Sequence, residues 1–171
     1  WFLCVLDVLS GYGGHQVCTV GKIDLFPNLV NVIPAKAVMT LDVRNTEEEI
    51  LRQAEMEIAD FITSLSREEN VVITTRQLAR FEPVVFHPRV IDLVEKAAVA
   101  LAPSVTRMPS GAGHDAQMFA RVCPSAMIFV PSVEGISHNP AEFTDPQDLI
   151  LGTNILLQVL IDLSQIEDFD S

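Results

Sequence analysis

The spacing of apolar residues changes twice along this chain, and those changes limit what it can build. Between Gln16 and Leu25, Val17, Thr19, Gly21, Ile23 and Leu25 fall on one side of a period of two, with Cys18, Val20, Lys22 and Asp24 on the other, which is the pattern of a strand. From Val38 to Arg44, Met39, Leu41 and Val43 alternate with Thr40, Asp42 and Arg44, a second strand with one dry face and Arg44 on the wet one. The period then becomes helical. Thr46 and Glu49 have capping-box spacing, and Ile50, Ala54, Ile58, Phe61, Ile62 and Leu65 recur at intervals that line one helix face. Val71 to Phe81 returns to β-rich composition until Glu82 and Pro83 interrupt it. With a helix-like run from Phe2 to Leu9 in front, residues 1–82 read helix, strand, strand, helix, strand, a small α+β layer on an antiparallel sheet.

The pattern changes character near Glu82. Pro88 suits the first turn of a second helix reaching Leu101, with Val90, Ile91, Leu93, Val94, Ala97 and Ala98 on its apolar face. Ala126 to Val130 is short and apolar, as a buried parallel strand would be. Thr144 and Gln147 form a second capping-box pair, opening a last helix over Asp145 to about Ile166. The expected fold class is therefore α/β with a mixed α+β part: residues 1–82 form a small antiparallel-sheet unit, and 83–171 a piece of an α/β domain.

Size and charge exclude several functions. A chain of 171 residues can bury a core without disulfides or metals to staple it. Its net charge of −12 makes it a poor candidate for displacing phosphate counterions, so neither nucleic acid nor an anionic membrane is an expected partner. The longest apolar tract, Leu149 to Leu163, is interrupted by Gly152, Thr153, Asn154, Gln158 and Asp162, too many polar groups for a bilayer span. Cys4, Cys18 and Cys123 are odd in number and lack CxxC spacing. Reduced thiols in the cytoplasm are the expectation. The chain opens on Trp1 rather than Met, and reads like the middle of a longer protein.

Two clusters have the residue types that chemistry needs. Ser110-Gly111-Ala112-Gly113-His114-Asp115 is a glycine-rich turn running into a short helix through Met118, Phe119 and Val122. Outward N–H groups at such a turn favour an anion or a polarised carbonyl oxygen, although a tight turn with an Asp cap would look the same. Gly135 to Glu142 follows the Ala126–Val130 run and contains His138. A His at a strand's carboxyl end is placed to bind a metal or act as a base, with Glu142 as the carboxylate holding its ring; the plainer reading is a surface His beside an acid. Arg44 could present a planar fork to a carboxylate or simply pair with Asp42 or Glu47. Asn31 could bind a ligand or shape a turn. No HxD, HExxH, GxSxG or Walker pattern is present, so the chain lacks the three or four ligands of a catalytic zinc.

Taken in order, VGKIDLFPNLVNVIP at Val20 to Pro34, LDVR at Leu41 to Arg44, PSGAGHDAQMFA at Pro109 to Ala120 and MIFVPSVEGISHNPAEFT at Met127 to Thr144 closely resemble the C-terminal part of N-carbamoyl-L-amino-acid hydrolases, allantoate amidohydrolases and β-ureidopropionases. These belong to the aminoacylase and carboxypeptidase-like dinuclear metallohydrolases. The resemblance implies a lid that also forms the dimer contact, here residues 1–82 without its first strand, followed by the last third of the catalytic domain. It implies that His138 is a metal ligand and that Asn31 and Arg44 bind the substrate's carboxylate. Gly113 and His114 would contact the substrate through a backbone N–H and an imidazole.

The activity so implied is attack of a metal-bound hydroxide on the carbonyl of a small ureido or carbamoyl carboxylate. Two divalent ions per full-length subunit, Zn, Mn, Co or Ni, would take part, with His114 steadying the oxyanion and the lid carrying Asn31 and Arg44 onto the substrate. Whether Arg44 serves its own subunit or its partner stays open. The family's other metal ligands match nothing here, so the chain alone is expected to be inactive and to self-associate through an open sheet edge and apolar faces such as Val90 to Leu101. Hydrolysis of N-acyl amino acids or peptides is one alternative. A non-catalytic dimerisation or anion-binding module is another.

Overall fold

A computed structural model describes residues 15–166. The helix expected over Phe2 to Leu9 and the acidic tail from Glu167 lie outside the described residues. The chain divides between Pro83 and Val84 into two units, each with its own small core.

In the first unit, β1 (Val17–Phe26) and β2 (Lys36–Arg44) pair antiparallel, with Val17 opposite Arg44 and Phe26 opposite Lys36. The register slips between Thr19 and Lys22: Thr19 faces Asp42, but Lys22 already faces Thr40. One extra residue in β1 is a bulge, and every residue beyond it changes face. Directly opposed residues share a face. Cys18 therefore lies with Val43, while Ile23 and Leu25 lie with Met39 and Ala37 on that same side. The single stripe expected from Val17 to Leu25 is thus split, and Val17 and Thr19 join Asp42 and Arg44 on the opposite, polar face.

Helix α1 (Glu48–Glu68) packs Ala54 and Ile58 against Cys18, Leu41, Val43 and Ile62. Ala54 is fully buried, so its lone methyl sets the distance between helix and sheet. The expected Thr46–Glu49 capping box does not form. Helical geometry begins after Glu47, one residue too late for the Thr46 hydroxyl, and the side chain of Asn45 instead accepts from the Glu47 N–H at 2.9 Å. The helix also runs past Leu65. It closes with Asn70 in the left-handed region at φ 51°, donating to the Arg67 carbonyl, while Val71 N–H reaches back to Ser66; this is a Schellman closure, with Asn in the place where Gly is commonest.

Val71 to Phe81 is not a strand, because no neighbouring strand among the described residues offers it a ladder. Arg80 ties the segment to α1, with Nε 2.9 Å from Glu55 Oε1 and Nη2 2.8 Å from Glu48 Oε1. Glu48 and Glu55 lie seven positions apart, two helical turns on one face.

The second unit is built on two helices, α2 (Pro88–Leu101) and the final helix α4 (Pro146–Ser164), with the four-residue α3 (Ala116–Phe119) between them in sequence. Pro88 occupies the first turn, as expected. Ala97 and Ala98 pack on Ile155 and Val159, with Val94, Ile128, Leu151 and Leu163 around them. Burying each larger aliphatic contributes about 1.5–3 kcal/mol. The apolar face of Val90 to Leu101 is therefore mostly covered rather than open, with Val99 and Leu101 left exposed. Helix α4 is capped by Asp145, which accepts from the Gln147 N–H at 2.8 Å, and not by Thr144. Pro146 has no N–H and fixes the first helical φ, so the cap falls on the residue just before it.

Ala126 to Val130 is half-buried but makes no ladder among the described residues, so it too is not a strand. It lies close against α4: a Cβ placed on Gly152 would sit 2.5 Å from Val130 Cγ1. The architecture is mixed α/β, with a two-stranded antiparallel sheet among the described residues. Among those residues no helix is long and apolar enough to cross a membrane.

Candidate functional site

Arg44 ends β2 on the polar face of the hairpin. Its guanidinium meets Asp42, two residues earlier on that face, with Nε 2.9 Å from Oδ1 and Nη2 2.6 Å from Oδ2. This is the two-point geometry in which Arg recognises any planar carboxylate. The hydrogen bond from Arg44 holds the Asp42 carboxyl below its ordinary pKa and raises that of Arg44. Gln16 fixes the strand end, its Nε2 donating to the carbonyls of Val17 and Arg44. Cys18, on the other face, has its thiol pushed up by burial and then by Asp42, which suits an inert core thiol.

Asn31 lies in the loop from Pro27 to Ala35, closed by Ala35 N–H donating to Phe26. This loop is at one end of the hairpin and Arg44 is at the other. A strand rises about 3.3 Å per residue, so the length of β2 alone keeps them roughly 25 Å apart. The structure does not bring these two residues together in one chain.

In the second unit, Gly113 and His114 sit just before α3. The His114 Nδ1 accepts from the Ala116 N–H at 3.0 Å, and its backbone carbonyl accepts from Gln117 N–H at 3.0 Å. Gln117 Oε1 faces the His114 N–H at 3.4 Å. Asp115, the residue expected to cap, makes no side-chain cap bond. The first helical N–H is thus already used by an imidazole, and the Ala112 N–H by Ser110 Oγ at 3.3 Å. Among the described residues nothing accepts from the Gly113 N–H.

His138 lies in a loop where unusual backbone is concentrated. Glu134, Gly135 and His138 all have positive φ, at 58°, 68° and 56°. Such conformations persist only where the surroundings hold them. Val133 N–H donates to the Phe143 carbonyl at 2.8 Å, and the Ser132 hydroxyl donates to the Ile136 carbonyl, so the loop is closed from within. Glu142 Oε2 accepts from the backbone N–H of His138 at 2.8 Å. Glu142 was expected at the imidazole. It holds the main chain instead, its carboxylate accepting from the His138 N–H.

Among the described residues no three His, Cys, Asp or Glu side chains gather where they could hold a metal ion. His138 is exposed, and with Glu142 bound to its backbone N–H it joins no group of three such donors among the described residues. These residues do not by themselves fit a metal centre. A cavity of about 280 Å³ lies elsewhere in this unit, lined by Val85, Phe86, His87, Cys123 and Ser125 among others, and none of the expected site residues lines it. What sequence reasoning missed was Gln117, though its place three residues after His114 is the spacing of a reciprocal cap.

The family model described as peptidase family M20/M25/M40 matches residues 7–162. The chain is 36% identical over 152 residues to an N-carbamoyl-L-amino acid amidohydrolase of Geobacillus stearothermophilus, covering 89% of this chain and 37% of that protein. It is likewise 36% identical over 152 residues to an allantoate amidohydrolase of Escherichia coli K12, again covering 89% of this chain and 37% of the relative. Its fold is similar to the crystal structure of an amidase of the hydantoinase/carbamoylase family from Burkholderia multivorans, with a TM-score of 0.84 at 31% identity, over 94% of this chain and 40% of that one. The chain thus spans little more than a third of the length of these relatives.

Proposed function

The chain belongs to peptidase family M20/M25/M40, and from that premise we propose that it supplies the substrate-recognition part of an amidohydrolase cleaving the carbamoyl or ureido C–N bond of N-carbamoyl amino acids or allantoate. The observation that carries this reading is the Arg44 fork, which is already set in two-point geometry on a carboxylate. An incoming substrate carboxylate would replace Asp42 by an exchange of like for like. The Gly113 N–H and the His114 ring would bind a carbonyl oxygen.

On this reading residues 1–82 form the lid, and two copies of the chain associate through it. The reach of the hairpin supports that proposal: one small substrate cannot touch both Asn31 and Arg44 of a single chain, so if both bind substrate they serve different sites. His138 would be a single ligand to a divalent ion, the remaining ligands belonging to the length of the relatives that this chain does not span. The chain by itself would then bind metal weakly and turn nothing over. A cytoplasmic location suits the free thiols of Cys18 and Cys123 among the described residues.

The test is ammonia release from N-carbamoyl amino acids and from allantoate, assayed with Zn, Mn, Co or Ni on the natural gene product and on the 171-residue chain side by side. Turnover by the gene product and none by the chain is expected. Turnover of N-acyl amino acids or dipeptides with no action on ureido substrates would overturn the assignment.

A further inference from the structure

The bond from the Ala116 N–H to His114 Nδ1 decides more than where the ring points. A backbone N–H can only donate, so the ring nitrogen facing it at 3.0 Å must carry a lone pair. A proton on Nδ1 would set donor against donor. Turning the ring over would set a carbon there and forfeit the bond. Neutral imidazole carries one proton, and with Nδ1 accepting, that proton is on Nε2.

We propose that the turn 110–117 fixes His114 as its Nε2–H tautomer, so that this residue meets its ligand as a neutral hydrogen-bond donor. Gln117 is the positioning residue. Its N–H holds the His114 carbonyl at 3.0 Å, and its side-chain oxygen faces the His114 N–H, so backbone and ring are held from the same short helix. The consequence is a rule for the ligand, resting on the amidohydrolase reading. Nε2–H donates to an oxygen, whether carbonyl, oxyanion or carboxylate, and turns away an NH₂. A planar ureido group presents both, so a fixed donor selects which edge enters. The same assignment bars His114 from acting as a base through Nδ1, and leaves Nε2 no lone pair with which to abstract a proton.

The test is long-range ¹H–¹⁵N correlation NMR of the ¹⁵N-labelled 171-residue chain, at a pH where its imidazoles are neutral. His114 should show one protonated and one bare nitrogen in the Nε2–H pattern. His138 serves as the internal control, since its ring has no hydrogen-bond partner among the described residues, and it should show the averaged pattern of two exchanging tautomers. In Ala116→Pro, which removes the donor although a proline disfavours the αR backbone of Asp115 before it, His114 should move toward the averaged pattern. An Nδ1–H or averaged pattern for His114 in the native chain would overturn the proposal. So would an unchanged pattern in a folded Ala116→Pro. Should that variant fail to fold, Gln117→Ala provides the second reading, with increased averaging at His114 expected and none counting against it. The readout needs no turnover, so failure of the amidohydrolase reading leaves it intact, and failure here leaves that reading standing.

Discussion

Arg44 and Asp42, two residues apart on one face of β2, bind each other at two points, 2.9 and 2.6 Å. The pair is half-exposed, so its worth to the fold is small, within about 1 kcal/mol. Its pH dependence has a definite sign. Asp42 is held below the ordinary carboxylate pKa by the hydrogen bond from Arg44, and Glu48 and Glu95 are held down in the same way by Arg52 with Arg80 and by Arg107. A depressed carboxylate contributes its full stabilisation above the unfolded pKa and loses it as pH falls through the folded one. The urea midpoint should therefore stay level at neutral pH and fall below about pH 4. Asp42→Asn should reduce that fall, and an equally steep loss in the variant would show that Asp42 takes no part.

Gly152 is required by its neighbour rather than by its backbone. Gly152→Ala would drive a methyl into Val130, whose stiff branched side chain has little room to give. The expected cost is about 1–3 kcal/mol, read from the shift in denaturation midpoint. Val130→Ala in the same chain should return part of it, and two costs that simply add would exclude the contact.

Asp145 and Thr144 are separated by the same kind of measurement. Asp145→Ala removes the bond to Gln147 N–H and should cost about 1 kcal/mol. Thr144→Ala, which removes no cap, should cost close to nothing. The reverse order would restore the capping box expected from sequence.

That difference illustrates what the sequence made legible. The periods of two and of three to four located β1, β2 and the three longer helices to within a few residues, because each buries one face and burial leaves its spacing in the chain. The errors share a cause: they depended on partners the local pattern does not encode. The bulge at Val20 and Gly21 changes the face of Ile23 without altering any residue type. Val71 to Phe81 and Ala126 to Val130 have strand composition, yet a strand exists only beside another. In the candidate site, Arg44 was legible as a fork, and Asp42 as its partner. The two bonds that define His114 and His138, to the Ala116 N–H and from the His138 N–H to Glu142, involve backbone donors, and a residue name does not disclose what its N–H faces.

The central claim is that Arg44 recognises a substrate's carboxylate. The measurement that reaches it most directly is a comparison of kcat/KM for an N-carbamoyl amino acid and for its methyl ester, in the natural gene product and in its Arg44→Ala variant. A charge-assisted bond to a carboxylate is worth about 1.5–3 kcal/mol, so the variant should lose roughly ten- to a hundredfold on the acid, chiefly through KM, and almost nothing on the ester. Equal losses on acid and ester, or none on either, would contradict it.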